Sequence, residues 1–288
     1  MKQLLILSGK GGTGKTTIAT AFIKLANAKT YADCDVDAPN LHLIMNQSSE
    51  AKQTDYYGLP KAEINLDLCV ECDRCRENCR FDAIKVNPDY KIDYYACEGC
   101  GLCEAICPEG AITLKPDVAG DLLLYVNSTV FSTAKLKMGS GTSGMLVSEV
   151  KRQMMFAGKD ATLAIIDGSP GIGCAVIASI SGVDMVLVVA EPSISGISDM
   201  ERIIKTANNF QIKIAVCVNK WDTNSKNTEK IETFCQENDL PFVGRIPYDT
   251  DAVKAINNSQ SIVDISCTSG RAVKDIFHKT MELLIQER

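Results

Sequence analysis

The chain has 288 residues and 31.2 kDa, the length of one large domain or two ordinary ones, and 45% of it is hydrophobic, enough for a packed core. Lysine and arginine number 30 against 36 aspartates and glutamates, a net charge of −6, which lacks the basic surplus of a general nucleic-acid binder. Thirteen cysteines, eight of them between 69 and 107, form an odd-numbered set that argues against a disulfide framework and for metal ligands in a soluble, cytoplasmic protein.

Residues 3–7 read as a short strand with no targeting segment before it. A glycine-rich turn follows, then 16–28 with helical spacing at Ile18, Ala21, Phe22 and Leu25. Residues 30–35 read as a second strand ending in acids. The composition then shifts: residues 61–116 hold eight cysteines, with 7 Lys and Arg against 11 Asp and Glu, which marks an inserted domain. Residues 121–135 alternate weakly across Asn127-Ser128, as a hairpin does. Buried-type strands follow at 163–166, 185–189 and 214–218, with a weaker one at 242–246. Helical stretches lie near 198–209, 226–238 and 249–257, and an amphipathic helix spans 270–286. Strands spaced by helices imply a parallel sheet covered on both faces. The expected architecture is an α/β domain built from 1–60 and 117–288, interrupted by a cysteine-rich domain at 61–116. No stretch approaches roughly 18 consecutive apolar residues, so no membrane-spanning helix is expected.

Gly9-Lys10-Gly11-Gly12-Thr13-Gly14-Lys15-Thr16, followed by Thr17, fits the phosphate-loop pattern between a strand and a helix. Glycines let backbone N–H groups converge on phosphate oxygens, and the helix N-terminus adds partial positive charge. Lys15 is expected to reach the β/γ-phosphates and Thr16 to ligate Mg²⁺. With Lys10 the run resembles the deviant Walker A loop of the MinD/Mrp/nitrogenase iron-protein class of P-loop ATPases. The resemblance implies ATP held at a homodimer interface, with Lys10 reaching the opposite subunit's nucleotide. Asp33-Cys34-Asp35 resembles that class's first switch, and implies that Asp35 orients the attacking water or the metal shell, with Asp33 and Asp37 as weaker candidates. Ile165-Ile166-Asp167-Gly168 resembles the second switch, and implies that Asp167 meets Mg²⁺ through water. Asn219 and Pro247, at two further strand ends, resemble the class's adenine-side contacts.

Cys69-x2-Cys72-x2-Cys75-x3-Cys79 is followed by Cys97-x2-Cys100-x2-Cys103-x3-Cys107-Pro108. Cys-x2-Cys pairs also suit zinc. The doubled run resembles a bacterial two-cluster ferredoxin, which implies one [4Fe–4S] cluster on Cys69, Cys72, Cys75 and Cys107 and a second on Cys97, Cys100, Cys103 and Cys79. Ala83-Ile84 and Ala111-Ile112 follow at matched positions. Arg80 stands where that pattern has proline after the first run.

The whole chain resembles MinD-superfamily ATPases with an inserted ferredoxin domain. Three functions stay open on that basis. They are ATP-gated electron transfer with a protein partner, iron–sulfur cluster assembly or delivery, and a nucleotide switch that positions partners around structural clusters. Cys174, seven residues after Asp167, reads either as a buried small residue at a helix start or as a ligand of a cluster shared between subunits. Residues 137–144, small and polar, read as a partner-binding loop or a plain linker. The C-terminal helix has mixed charge, unlike a membrane anchor. His42 and His278 have no ligand constellation around them.

Overall fold

The computed structural model describes every residue except 46, 48, 287 and 288. The first elements are β1 (Lys2–Leu7), α1 (Lys15–Leu25), β2 (Thr30–Asp33), α2 (Leu41–Ile44) and β3 (Lys52–Tyr57). Next come β4 (Lys61–Ile64), α3 (Arg74–Glu77), β5 (Ile84–Val86), β6 (Tyr90–Ile92), α4 (Leu102–Ile106) and β7 (Ile112–Lys115). The chain returns through β8 (Val118–Val126), β9 (Val130–Leu136), α5 (Ser143–Ala157), β10 (Leu163–Asp167), α6 (Cys174–Ile180), β11 (Met185–Ala190) and α7 (Ile194–Asn208). It finishes with β12 (Lys213–Asn219), α8 (Ser225–Glu237), β13 (Phe242–Ile246), α9 (Thr250–Asn257) and α10 (Thr268–Ile285).

Nine strands form one sheet in the order β13-β12-β11-β1-β10-β2-β9-β8-β3. From β13 to β9 every pairing is parallel, and β8 and β3 extend the edge antiparallel. Successive side chains of a strand point to opposite faces, so Leu5 and Leu7 enter a core with α5, α6, α7 and α8, while Leu4 and Ile6 enter a second core with α1 and α10. Burial on both faces is why these strands are unbroken apolar runs in the sequence. The carboxyl ends of β1, β2 and β10 lie side by side, the place where open α/β sheets bind ligands.

Several boundaries differ from expectation for local reasons. β2 stops at Asp33 because the Asp35 N–H turns back to Asp33 Oδ1 at 3.0 Å instead of joining a ladder. α7 starts at Ile194, ahead of 198, because Ser193 Oγ caps it by accepting the Gly196 N–H at 3.1 Å. β3 was not expected at all. Its sequence KQTDYY leaves every side chain but Tyr56 exposed, so it carries no burial pattern and is defined by its pairing with β8. The β8–β9 hairpin is present, and β9 also pairs in parallel with β2.

Residues of the cysteine-rich segment form two small ladders outside the large sheet, β4 with β7 and β5 with β6. Its halves repeat at an offset of 28, Cys69 to Cys97 and Cys79 to Cys107. The Asn65 N–H donates to Ala111 O, and its counterpart, the Asp93 N–H, donates to Ala83 O, both at 2.7 Å. Left-handed residues match too: Glu71 with Gly99, Asp73 with Gly101, Asp82 with Gly110. The repeat seen in the cysteine spacing is therefore a repeat of backbone conformation.

Candidate nucleotide site and cysteine-lined cavities

The turn between β1 and α1 opens into a cleft of about 1070 Å³, lined along one side by Lys10, Gly11, Gly12, Thr13, Gly14, Lys15, Thr16 and Thr17. Gly14 sits at φ 93° directly before α1, and a Cβ there would lie 2.3 Å from Asn219 Nδ2. Only glycine meets both demands. Asn219 Nδ2 donates to Thr13 O at 2.7 Å and Lys220 Nζ donates to Gly12 O at 3.0 Å. The end of β12 thus clamps the loop. Asn219 was singled out for a base edge, and one of its amide hydrogens is already committed to the loop. With Pro247 and Tyr248 it lines a smaller recess of about 210 Å³ beside Gly14.

Lys15 is buried, and its Nζ lies 2.8 Å from Asp167 Oδ1 at the end of β10. Burial alone would lower its pKa; the charge and hydrogen bond of Asp167, with Asp33 and Asp35 beyond, hold it above the ordinary lysine value. Asp167 Oδ2 is buried and has no hydrogen-bond partner among the described residues. A buried carboxylate oxygen without a partner, on the acid that holds Lys15, suits a cation shell.

Asp33 is fully buried and accepts three backbone N–H groups at 3.0 Å, those of Asp35, Asn40 and Leu41. It therefore folds the loop after β2 over the cleft. Burial and the nearby Asp167 push its carboxyl up to about 7, against the Leu41 hydrogen bond and Lys15. Asp35 and Asp37 line the cleft, and burial raises the Asp35 carboxyl against the pull of Lys15. Asp35 points into the site; Asp33 shapes the segment that carries it.

Lys10 folds back on its own chain. Its Nζ lies 2.9 Å from Glu191 Oε2 and donates to Ser193 Oγ at 3.2 Å. Glu191 and Lys220 were not singled out from sequence. Each sits just past a strand end, where an acid or a lysine is ordinary. Cys174 is exposed at the start of α6 and lines the cleft, which corrects the reading of a buried residue. Cys34 is buried, and burial pushes its thiol up to about 12, which suits an inert core position. Cys217, Cys235 and Cys267 are buried core thiols.

Away from the cleft, the eight clustered cysteines are all free and sort into two cavities. One is lined by Cys69, Cys72, Cys75 and Cys107, the other by Cys79, Cys97, Cys100 and Cys103. Each set takes three members from one run and one from the other. No three His, Cys, Asp or Glu side chains among the described residues are placed to hold a single metal ion.

The CobQ/CobB/MinD/ParA nucleotide binding domain matches residues 4–262. The chain belongs to this family. An uncharacterised protein of Methanocaldococcus jannaschii is 34% identical over 287 residues, covering 98% of this chain and 97% of that protein. The septum site-determining protein MinD of Pyrococcus horikoshii, solved with Mg-ADP, superposes with a TM-score of 0.60 at 17% identity, covering 98% of this chain and 96% of that one. The MinC:MinD cell division complex of Aquifex aeolicus gives 0.56 at 18%, covering 100% and 98%. Membership of the CobQ/CobB/MinD/ParA family makes this a nucleotide-binding chain of the MinD/ParA ATPase type. ATP and Mg²⁺ suit ATPases of this type. No helix among the described residues of this family member is long and apolar enough to cross a membrane.

Proposed function

We propose that this chain is a Mg-ATP-hydrolysing dimeric switch that carries two [4Fe–4S] clusters in its inserted domain and exchanges electrons with a protein partner. The observation that carries the reading is the crossed sorting of eight cysteines into two cavities. Interlocked sets of this kind are what two-cluster ferredoxin runs require. Matched backbone donors support it further. The Ala83 N–H points at Cys79 Sγ at 3.4 Å and the Ala111 N–H at Cys107 Sγ at 3.2 Å, the type of bond that tunes a cluster's potential. A single zinc ion with bonds of about 2.3 Å would need four sulfurs drawn to one point. When bound, the clusters would supply one-electron storage.

At the cleft the chain's own groups divide the work. Backbone N–H groups of 9–17 and the α1 N-terminus hold the phosphates. Lys15 must leave Asp167 to reach them. Thr16 would hold Mg²⁺, with Asp167 and Asp35 in its outer shell, and Asp35 would orient the attacking water. Lys10 would serve the opposite subunit's nucleotide once it leaves Glu191.

Anaerobic iron and labile-sulfide analysis with EPR of the reduced protein, in ADP and then in Mg-ATP, tests the reading. About eight irons and eight sulfides per chain, with reducible signals that shift with nucleotide, are expected. Zinc in place of iron overturns it. Clusters that pass to an apo-acceptor under Mg-ATP move the function to cluster delivery.

A further inference from the structure

The two halves of the insert are equal in cysteines and unequal in neighbours. Leu66, Asp67 and Val70 of the first half correspond, 28 positions on, to Tyr94, Tyr95 and Glu98. The first three face solvent, with Leu66 49% and Val70 60% exposed. The second three reach the nucleotide-binding part. Tyr94 donates its hydroxyl to Asp117 at 2.8 Å and lies under the Lys61 ammonium, 5.0 Å from ring centre. Lys61 in turn donates to Cys97 O at 2.6 Å. Tyr95 rests on the loop 137–144. A Cβ at Gly139, where φ is +81°, would lie 2.8 Å from Tyr95 Cδ1, and one at Gly141 would lie 3.2 Å from Glu98 Oε2.

The far end of that loop enters the nucleotide cleft. Ser143 lines the cleft as the first residue of α5. A Cβ at Gly144 would lie 3.0 Å from Cys174 Cβ, so α5 begins in contact with the segment that follows Asp167. Lys151 of α5 then donates to Ala178 O and Ser179 O of α6, at 3.2 and 2.7 Å, which ties the two helices into one body. A movement after Asp167 on nucleotide exchange is thus passed to α5 and to the loop. Tyr95 is 69% exposed, so its contact can form and break at little cost.

We propose that 137–144 is a strap that transmits the nucleotide state to the second cysteine set, Cys79, Cys97, Cys100 and Cys103, and not to the first set, Cys69, Cys72, Cys75 and Cys107. The assignment of clusters to these sets rests on the function proposed above; the strap itself does not. Coupling through a contiguous packed segment requires an element with two arrangements biased from both ends. The loop meets both ends, with Gly144 against Cys174 and Gly139 against Tyr95.

Hydrogen exchange of the full, anaerobically purified protein tests this with ADP and with Mg-AMPPNP. Amides of 93–101 and 137–144 are expected to exchange about fivefold or more slowly in Mg-AMPPNP, with those of 66–76 unchanged. Tyr95→Ala is expected to erase the change at 93–101 and, because coupling is reciprocal, to weaken Mg-AMPPNP by about fivefold relative to ADP, and Tyr95→Phe to keep both. Equal changes in both halves, or none in either, overturn the strap. Iron analysis of the same samples separates the two ideas: iron-free protein that still shows the 93–101 change keeps the strap and removes the clusters, and iron-loaded protein without it does the reverse.

Discussion

Lys10 Nζ lies 2.9 Å from Glu191 Oε2, on the same chain and at the rim of the same cleft. A lysine that serves an opposite subunit must first leave this partner. The pair is partly exposed, with side-chain exposures of 37% and 23%, so it holds the lysine by no more than about 1 kcal/mol.

Glu191→Gln is therefore expected to strengthen Mg-ATP-dependent dimerisation by up to about fivefold per subunit, with thermal stability unchanged. Lys10→Ala is expected to abolish that dimer and impair turnover. Sedimentation with Mg-ATP reads both. A Lys10→Ala chain that dimerises normally would remove the trans role.

The buried Lys15–Asp167 pair behaves differently, because breaking it strands a charge. Lys15→Ala is expected to abolish ATP turnover and to destabilise the nucleotide-free protein by about 3–5 kcal/mol. Lys15→Ala with Asp167→Asn should recover most of that stability and none of the activity. Thermal unfolding beside an ATPase assay distinguishes the two losses. Recovery of turnover in the double variant would contradict the assignment of Lys15 to the phosphates.

Asp33 gives a pH dependence with a definite sign. Its folded carboxyl, pushed up to about 7, lies above the ordinary aspartate value of 3.8, so the folded state binds the proton more tightly than the unfolded one. Stability of the nucleotide-free protein should thus rise as pH falls from about 7 toward 4, with a slope of at most about 1.4 kcal/mol per pH unit for this group. Melting temperatures between pH 8 and 5 measure it. Asp33→Asn is expected to flatten the curve. An unchanged curve in that variant would place the titration elsewhere.

The crossed cysteine sets predict which deletions act together. Cys107→Ser and Cys69→Ser are each expected to lose the same cluster, leaving about four irons, and the pair should lose no more than either alone. Cys107→Ser with Cys79→Ser should lose both clusters. Iron analysis of the four proteins decides the matter; an additive loss from Cys107 and Cys69 would mean uncrossed sets.

Much of this protein is legible along the chain because its signals are local. Strand, glycine loop and helix at 3–28 are consecutive, so a phosphate loop needs no tertiary information to be read. Eight cysteines at fixed spacings likewise announce two matched sets. Parallel strands buried on both faces are apolar throughout, which is why β10, β11 and β12 stand out and the polar edge strand β3 does not.

What a residue's side chain meets is a different kind of fact. The resting partner of Lys10 is 181 positions away, at Glu191, and one amide hydrogen of Asn219 is committed to Thr13 O. The difference between the two halves of the insert is invisible in their ligands. It arises because only Tyr94, Tyr95 and Glu98 fall where the chain folds back at Asp117 and 137–144. Sequence by itself determined the chemistry available, since spacing within a loop sets which donors can converge. Only the tertiary structure decided which charges are paired, which are buried and which half of the cysteine-rich segment meets 137–144, since those depend on segments that meet through packing.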